Sequence, residues 1–213
     1  PWVALVADFG DNAVTPVDLG SMRAGTPVPV GARPVAVAVV PAGPGRPPTA
    51  LVADFGGGTV TPVDLATMAA GPAIAVGASP DAVAVQGSGS ASGTVALVAD
   101  FGSDQVTPID VATMSAQPAL SLAGNPTGIA VAPGGTAWVV AGGTLTSVAP
   151  GSLALGVPLT LPGVGEAVAL QGKATAWVAE EAGSLVPVAL PDGPAGTPVR
   201  VGGRPTAVVL GPP

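Results

Sequence analysis

Apolar residues along this chain come in runs of four to eight, rich in Val, and each run is cut by Gly, Pro, Ser or Asp. No window keeps a 3.6-residue period over three turns, so the pattern predicts short strands joined by turns and no helices. The pattern also repeats. Units opening on Ala-Leu-Val or Ala-Trp-Val begin at Ala4, Ala50, Ala96, Ala137 and Ala176, at spacings of 46, 46, 41 and 39 residues. The second unit shows the order best: ALVADF, a GGG tip, TVTPVDL, the turn ATM, AAGPAIAVG, then SPDAVAV. Four short strands in about 40 residues predict one blade of a β-propeller.

The fold expected is therefore all-β, a propeller of five four-stranded blades in one domain over residues 1–213. Its repeat units fall at about 4–49, 50–95, 96–136, 137–175 and 176–213. With strands lettered A to D outward from the axis, the A strands are 34–40, 80–85, 126–131, 165–170 and 205–210. Large and small residues alternate in them, as a tapering, two-sided inner strand requires. The chain opens on a B strand (Trp2–Phe9) and closes on an A strand (Pro205–Leu210). Pairing the C-terminal A strand with the N-terminal B–C–D set would close the ring and leave no unpaired end. Two alternatives stay open: five blades of a longer, perhaps seven-bladed ring, and a β-helix.

Composition narrows the classes. Hydrophobic residues at 48% supply a core, while charged residues are only 9%. The 32 Gly and 26 Pro exceed a quarter of the chain, a share that would signal disorder were it not periodic and apolar. Mean hydropathy is +0.62, yet every apolar stretch breaks before the roughly 18 residues of a spanning helix, so no membrane span is expected. The net charge is −7, and the six cations (Arg23, Arg33, Arg46, Lys173, Arg200, Arg204) do not cluster, which argues against nucleic acid. Absent Cys, His and Tyr exclude disulfides, thiolate nucleophiles, imidazole bases and the commonest zinc ligands.

The segments LVADFGDNAVTPVDL (5–19), LVADFGGGTVTPVDLATM (51–68) and LVADFGSDQVTPIDVATM (97–114), with GARPVAVAV, GASPDAVAV and GNPTGIAV, carry a family likeness. They resemble the YVTN-type repeats of secreted and surface-layer β-propellers, Y-V-T/A-N-x-G-S-N-T-V-x-[PV]-I-D-x-A-T followed by G-x-x-P-x-x-[IV]-A. Units four and five lose the acidic turn. The resemblance implies a propeller and an extracellular or cell-surface location. It implies no single activity, since binding modules, lactonases and dehydrogenase subunits share the fold.

Asp8, Asp54 and Asp100 stand where those repeats carry Asn, each inside Asp-Phe-Gly. In a protein kinase that triplet holds magnesium, but beside a catalytic loop and a phosphate-gripping Lys. Lys173 is the only lysine here and no such loop exists, so the three aspartates are expected to bond local backbone N–H groups at strand ends. The competing reading is a partial acidic ring on an axial face that also receives Arg33, Ser79, Asn125, Glu166 and Arg204, with Glu180 and Glu181 extending the arc. For the arginines the plain expectation is ion pairing with Asp8 and Asp54, and the alternative is a site for a small polar ligand. Asp8, Asp54, Asp100, Arg33, Arg204 and Glu180 are the candidate ligand-facing residues. Asp18, Asp64 and Asp110 are expected to form C–D turns. The Thr-Pro steps at 15–16, 61–62 and 107–108 predict a bulge or a locally open pair, and Met22, Met68 and Met114 predict packing at the blade rim. The function expected is a non-catalytic binding or surface scaffold module. It would be monomeric and without cofactor, with a protein, glycan or small polar ligand as partner. The alternative is a lactonase-like hydrolase whose axial carboxylates hold a divalent cation.

Overall fold

Alternating Val and Ala favour an extended, half-buried backbone, and in the computed structural model each repeat forms one antiparallel sheet of four or five strands. The structure describes residues 3–43, 45–87 and 93–211; Trp2, expected in the first strand, lies outside them. Blade 1 holds β1 (Val3–Asp8), β2 (Ala13–Asp18), β3 (Arg23–Ala24) and β4 (Val28–Pro29). Blade 2 holds β5 (Pro34–Val40), β6 (Thr49–Asp54), β7 (Thr59–Asp64), β8 (Ala69–Ala70) and β9 (Ile74–Ala75). Blade 3 holds β10 (Pro80–Gln86), β11 (Val95–Asp100), β12 (Gln105–Asp110), β13 (Ser115–Ala116) and β14 (Leu120–Ser121). Blade 4 follows with β15 (Pro126–Val131), β16 (Ala137–Ala141), β17 (Thr144–Val148) and β18 (Leu159–Thr160). Blade 5 ends the series with β19 (Gly165–Gln171), β20 (Thr175–Glu180), β21 (Ser184–Ala189) and β22 (Val199–Arg200). Among the described residues no helix is long and apolar enough to cross a membrane.

The core lies between blades, because a strand sends successive side chains to opposite faces. Ala50, Val52 and Val63 pack with Val14 and Val28 of blade 1. Leu51 points the other way and joins Ala96, Val98 and Ile109 of blade 3. Leu97 and Val106 pack on Ala137, Val139 and Val148 of blade 4, and Trp138, Val140 and Leu145 on Ala176, Val178 and Val186 of blade 5. Each junction between consecutive blades therefore has its own apolar cluster.

The prolines of strand C sit in an unbroken B–C register, Leu5 opposite Pro16, Leu51 opposite Pro62 and Leu97 opposite Pro108. No bulge forms there. The open pair is on the outer side, where strand D is split: β2 pairs with β3 through Val17 and Asp18, and with β4 through Ala13 and Val14, skipping residues 15 and 16. The Pro16 carbonyl accepts the Gly25 N–H at 2.7 Å, and Pro62 takes Gly71 likewise at 2.7 Å. In an antiparallel strand a residue's N and O point to the same side, so the missing proline N–H faces a gap and costs no ladder bond. The register shifts lie instead at the start of strand A, between Pro34 and Ala36 and between Pro80 and Ala82. The C–D turns form as expected. The Asp18 Oδ1 accepts N–H from Gly20 and Ser21 at 2.8 Å, and Asp64 and Asp110 repeat the arrangement. Met68 and Met114 pack on the core, but Met22 is 75% exposed, contrary to expectation, because among the described residues no neighbouring blade packs on that side of blade 1.

One expectation is corrected. Residues 205–210 form no strand, and no backbone hydrogen bond joins them to β1 among the described residues. Among the described residues no strand pairing joins blade 5 to blade 1, and β1 pairs only with β2. The exposure shows it: Val6 of β1 is 45% exposed, whereas its counterparts Val52 and Val98 are fully buried. Val98→Ala should therefore cost about 2 kcal/mol, two methyl groups at about 0.8 kcal/mol each plus the cavity. Val6→Ala should change stability by less than about 0.5 kcal/mol. Urea midpoints in dilute solution would check this, and equal losses at the two sites would mean that β1 is covered after all.

Candidate functional site

The B–C tips and the connections entering strand A emerge on one face and are stitched together. Phe55 and Gly56 donate N–H to the Arg33 and Ala32 carbonyls at 3.0 and 2.9 Å, and Phe101 and Gly102 donate to Ser79 and Ala78 at 3.1 and 2.9 Å. The acidic strand ends lie just beneath. Asp8 pairs with Ala13, so Thr15, two residues on, shares its side of the sheet. The Thr15 hydroxyl donates to Asp8 Oδ2 at 2.5 Å. Blade 2 repeats this with Thr61 and Thr59 donating to Asp54 Oδ2 at 2.7 and 3.0 Å, and blade 3 with Thr107 donating to Asp100 Oδ2 at 2.5 Å. In blade 5, Glu180 accepts from the Ser184 hydroxyl at 2.5 Å and from the Gly163 N–H at 2.8 Å. The aspartates are held chiefly by the hydroxyl of the Thr-Pro step, with the backbone N–H groups of Gly31 and Gly77, of the kind expected from the sequence, ranking behind it at Asp54 and Asp100. Thr satisfies this geometry because its hydroxyl branches from Cβ and reaches across one diagonal of the ladder.

Glycine completes the clasp. A Cβ on Gly31 would collide with the Asp54 carboxylate, and one on Gly77 with Ser103, Gln105 and Asp100. The connection must cross the carboxylate without a side chain. Blade 4 is the control within the chain. Its B strand ends on Ala141 opposite Pro126, and the position of Gly31 and Gly77 is there Ala123. Where the carboxylate is missing, so is the glycine.

Asp54 and Asp100 are fully buried, and the Oδ1 of each accepts no bond from the protein. Burial pushes both carboxyls above the ordinary 3.8, against the pull of their threonine donors. Glu180 is 3% exposed. The candidate carboxylates are thus turned inward, one to a blade, and do not converge. Among the described residues no group of three or more acidic side chains is placed to hold a metal ion.

The arginines also differ from expectation. Neither pairs with Asp8 or Asp54 among the described residues, because threonine hydroxyls already occupy those carboxylates. Arg33 lies over the Phe9 ring, 5.7 Å from its centre, a cation–π contact, and its N–H donates to Asn12 Oδ1 at 2.8 Å. Arg204 donates through Nη2 and Nε to Glu166 Oε1 at 2.6 and 3.1 Å, and lies 3.1 Å from Glu181. The bonds from Glu166 raise the Arg204 guanidinium pKa further. These three residues and Phe101, Asn125 and Thr127 line a notch of about 250 Å³. Asp81 is the acidic residue that sequence reasoning passed over. Burial, then the nearby Glu166, pushes its carboxyl up. It stands second in its A strand, where the other units have Val35, Thr127 and Glu166. A polar residue recurring at that inner position is the signal that could have found it.

Two outcomes follow for the clasps. Asp54→Asn should be neutral or stabilising at neutral pH, since Asn keeps an acceptor for Thr59 and Thr61 and removes a buried charge. Asp54→Ala should cost about 1–3 kcal/mol by orphaning the hydroxyls. Because the native carboxyls of Asp54 and Asp100 titrate above 3.8, the folded state keeps its protons where the unfolded chain has lost them. Stability should rise as pH falls from neutral toward about 4 and be lost again as pH rises through the native values. Asp18, exposed and lowered by the Ser21 and Gly20 N–H groups, acts in the opposite sense at lower pH. Melting temperatures across pH should show the rise, and the Asp54→Asn, Asp100→Asn double variant should flatten it.

No family model matches the chain, and no curated protein matches it. Among solved structures it is similar to hydrazine synthase of Kuenenia stuttgartiensis, with TM-score 0.74, 18% identity, and 89% of this chain covering 60% of that one. It is similar to U3-55K at TM-score 0.77 and 11% identity, over 93% of this chain and 61% of that one. Streptogramin B lyase matches at TM-score 0.71 and 13% identity, over 88% and 65%. The chain thus spans less than two thirds of each of these proteins. All three are β-propellers, and the likeness, joined to the five sheets, makes this chain a five-bladed β-propeller.

Proposed function

We propose that the chain is a non-catalytic binding module whose contact surface is the axial face. Its recognition point is the notch of Glu166, Glu181 and Arg204, and its ligand is small and polar. The observation that carries this reading is the inward, hydroxyl-bonded placement of Asp54, Asp100 and Glu180. A metal-dependent hydrolase needs carboxylates free to converge on a cation, and these are already engaged one blade apart. The notch offers what recognition needs: an arginine fork, two carboxylates and the Asn125 amide, whose Nδ2 donates to the Phe101 carbonyl at 2.7 Å.

The matched structures bear names of both kinds, hydrazine synthase and streptogramin B lyase beside U3-55K, so fold alone does not choose. Resemblance to YVTN-type repeats supports an exported or surface-displayed protein, and that location is part of the proposal. The lactonase-like alternative predicts a metal-dependent gain in stability. A cation at 100 times its Kd would add about 2.7 kcal/mol. Millimolar calcium or manganese should leave the melting temperature unchanged and support no lactone hydrolysis. A clear rise with either ion, together with turnover, would replace the binding reading with the hydrolase.

A further inference from the structure

The face opposite the clasps is built from the A–B and C–D turns, because the strands of a blade alternate in direction. Between blades 4 and 5 that face holds a cleft of about 240 Å³, walled by Pro133, Thr136, Trp138, Lys173, Leu190 and Pro191. Trp138 is 4% exposed and packs on Ala176 and Val178 of blade 5. At its place in strand B, blades 1 to 3 carry Leu5, Leu51 and Leu97. Leucine fills the junction with carbon alone, whereas tryptophan brings an N–H donor with it.

Blade 5 shows how such an indole is satisfied. Trp177 holds the same place, and its Nε1–H donates to Gln171 Oε1 at 3.2 Å. Gln171 stands two residues beyond Ala169, the strand-A partner of Trp177. In blade 4 the partner of Trp138 is Ala130, and two residues beyond it is Ala132, which has no acceptor on its side chain. A buried indole N–H ordinarily finds a partner. That of Trp138 donates to no protein atom among the described residues, yet it is not one of the sealed polar atoms, which are Asp54 Oδ1, Gln86 Oε1 and Asp100 Oδ1. It opens to the cleft that Trp138 lines.

The neighbouring blade supplies a second donor. Lys173 leaves the A–B turn of blade 5, and its Nζ stands over Gly134 of blade 4, where a Cβ would lie 3.1 Å from it. No carboxylate pairs with Lys173 among the described residues. None lines the cleft either, since Asp192 follows Pro191 but is exposed and outside the wall. In a chain of net charge −7, this cleft therefore presents an ammonium and an indole N–H, and the Thr136 hydroxyl can turn to act as a third donor.

We propose that this cleft binds a small organic monocarboxylate. Its oxygens accept from Lys173 Nζ and the Trp138 N–H, and its carbon part lies against Pro133, Leu190 and Pro191. One ammonium beside neutral donors matches a single negative charge. The second charge of a phosphate would call for an arginine fork or a helix N-terminus, and the cleft wall has neither. The volume suits a short chain, being below the roughly 300 Å³ at which drug-sized pockets begin. The site lies on the face away from the Arg204 notch and does not depend on the function proposed for that notch.

Titration of the full chain with hexanoate at constant ionic strength, followed through the indole proton–nitrogen correlation peaks, tests this. The Trp138 peak is assigned by NOEs in the native chain, so the main measurement needs no variant. That peak should move saturably with hexanoate while the Trp177 peak stays in place. Lys173→Gln, on an exposed turn, should weaken binding about tenfold, the worth of one charge-assisted hydrogen bond. Trp138→Leu, which installs the residue of blades 1 to 3, should weaken it as well. Hexanol and inorganic phosphate should leave the Trp138 peak where it is. A peak unmoved by about 50 mM hexanoate, a hexanoate affinity unaltered in Lys173→Gln, or an equal movement with hexanol or with phosphate would overturn the proposal.

Discussion

Strict two-sided alternation of the second strand in every blade is the constraint on which the rest depends. Leu51 belongs to the junction with blade 3 and Val52 to the junction with blade 1, so no blade owns a complete core. Stability is then a sum over neighbouring pairs, as in other repeat architectures. The small residues are part of the same constraint. Ala50, Ala53, Ala96 and Ala99 are fully buried, and larger side chains there would push the blades apart. Cooperativity runs along the arc, and among the described residues no core cluster joins blades 5 and 1.

A second constraint shapes the functional face. Aspartate, threonine two ladder positions away, and a glycine crossing above them form one unit in blades 2 and 3, and in blade 4 the aspartate and the glycine are lost together while Thr146 keeps the threonine's place. Because the unit consumes its carboxylate, the chemistry left on the axial face comes from residues outside it: Arg33 on Phe9, Asn125, Asp81, and the Arg204 pairs. The charges there include the mutually engaged Arg204, Glu166 and Glu181.

Most of the fold was legible because strand, turn and breaker signals agree at every repeat. The inner strands at 34–40 and 126–131 and the aspartate turns at 18, 64 and 110 sit where the pattern places them. Ring closure was not legible, since end phase says which strand types are unpaired and nothing about whether the arc brings them together. The ion pairs failed for a related reason. Adjacency along the sequence put Arg33 near Asp54, but the competing Thr61 hydroxyl lies on the partner strand, and only register reveals it. The prolines of strand C looked awkward until it was clear which side of that strand each amide faces.

The interrupted outer strand has a consequence for solubility. With charged residues at only 9% of the chain, the net charge of −7 is thinly spread, and an apolar β protein would ordinarily be prone to fibrous stacking. The outer rim instead presents hydrogen-bonding segments only two residues long, such as Arg23–Ala24 and Val28–Pro29, parted by a kink opposite a proline. A foreign strand laid along that rim would find no continuous row of donors to zip against. The interrupted rim thus opposes stacking through the backbone's geometry, beside whatever charge contributes.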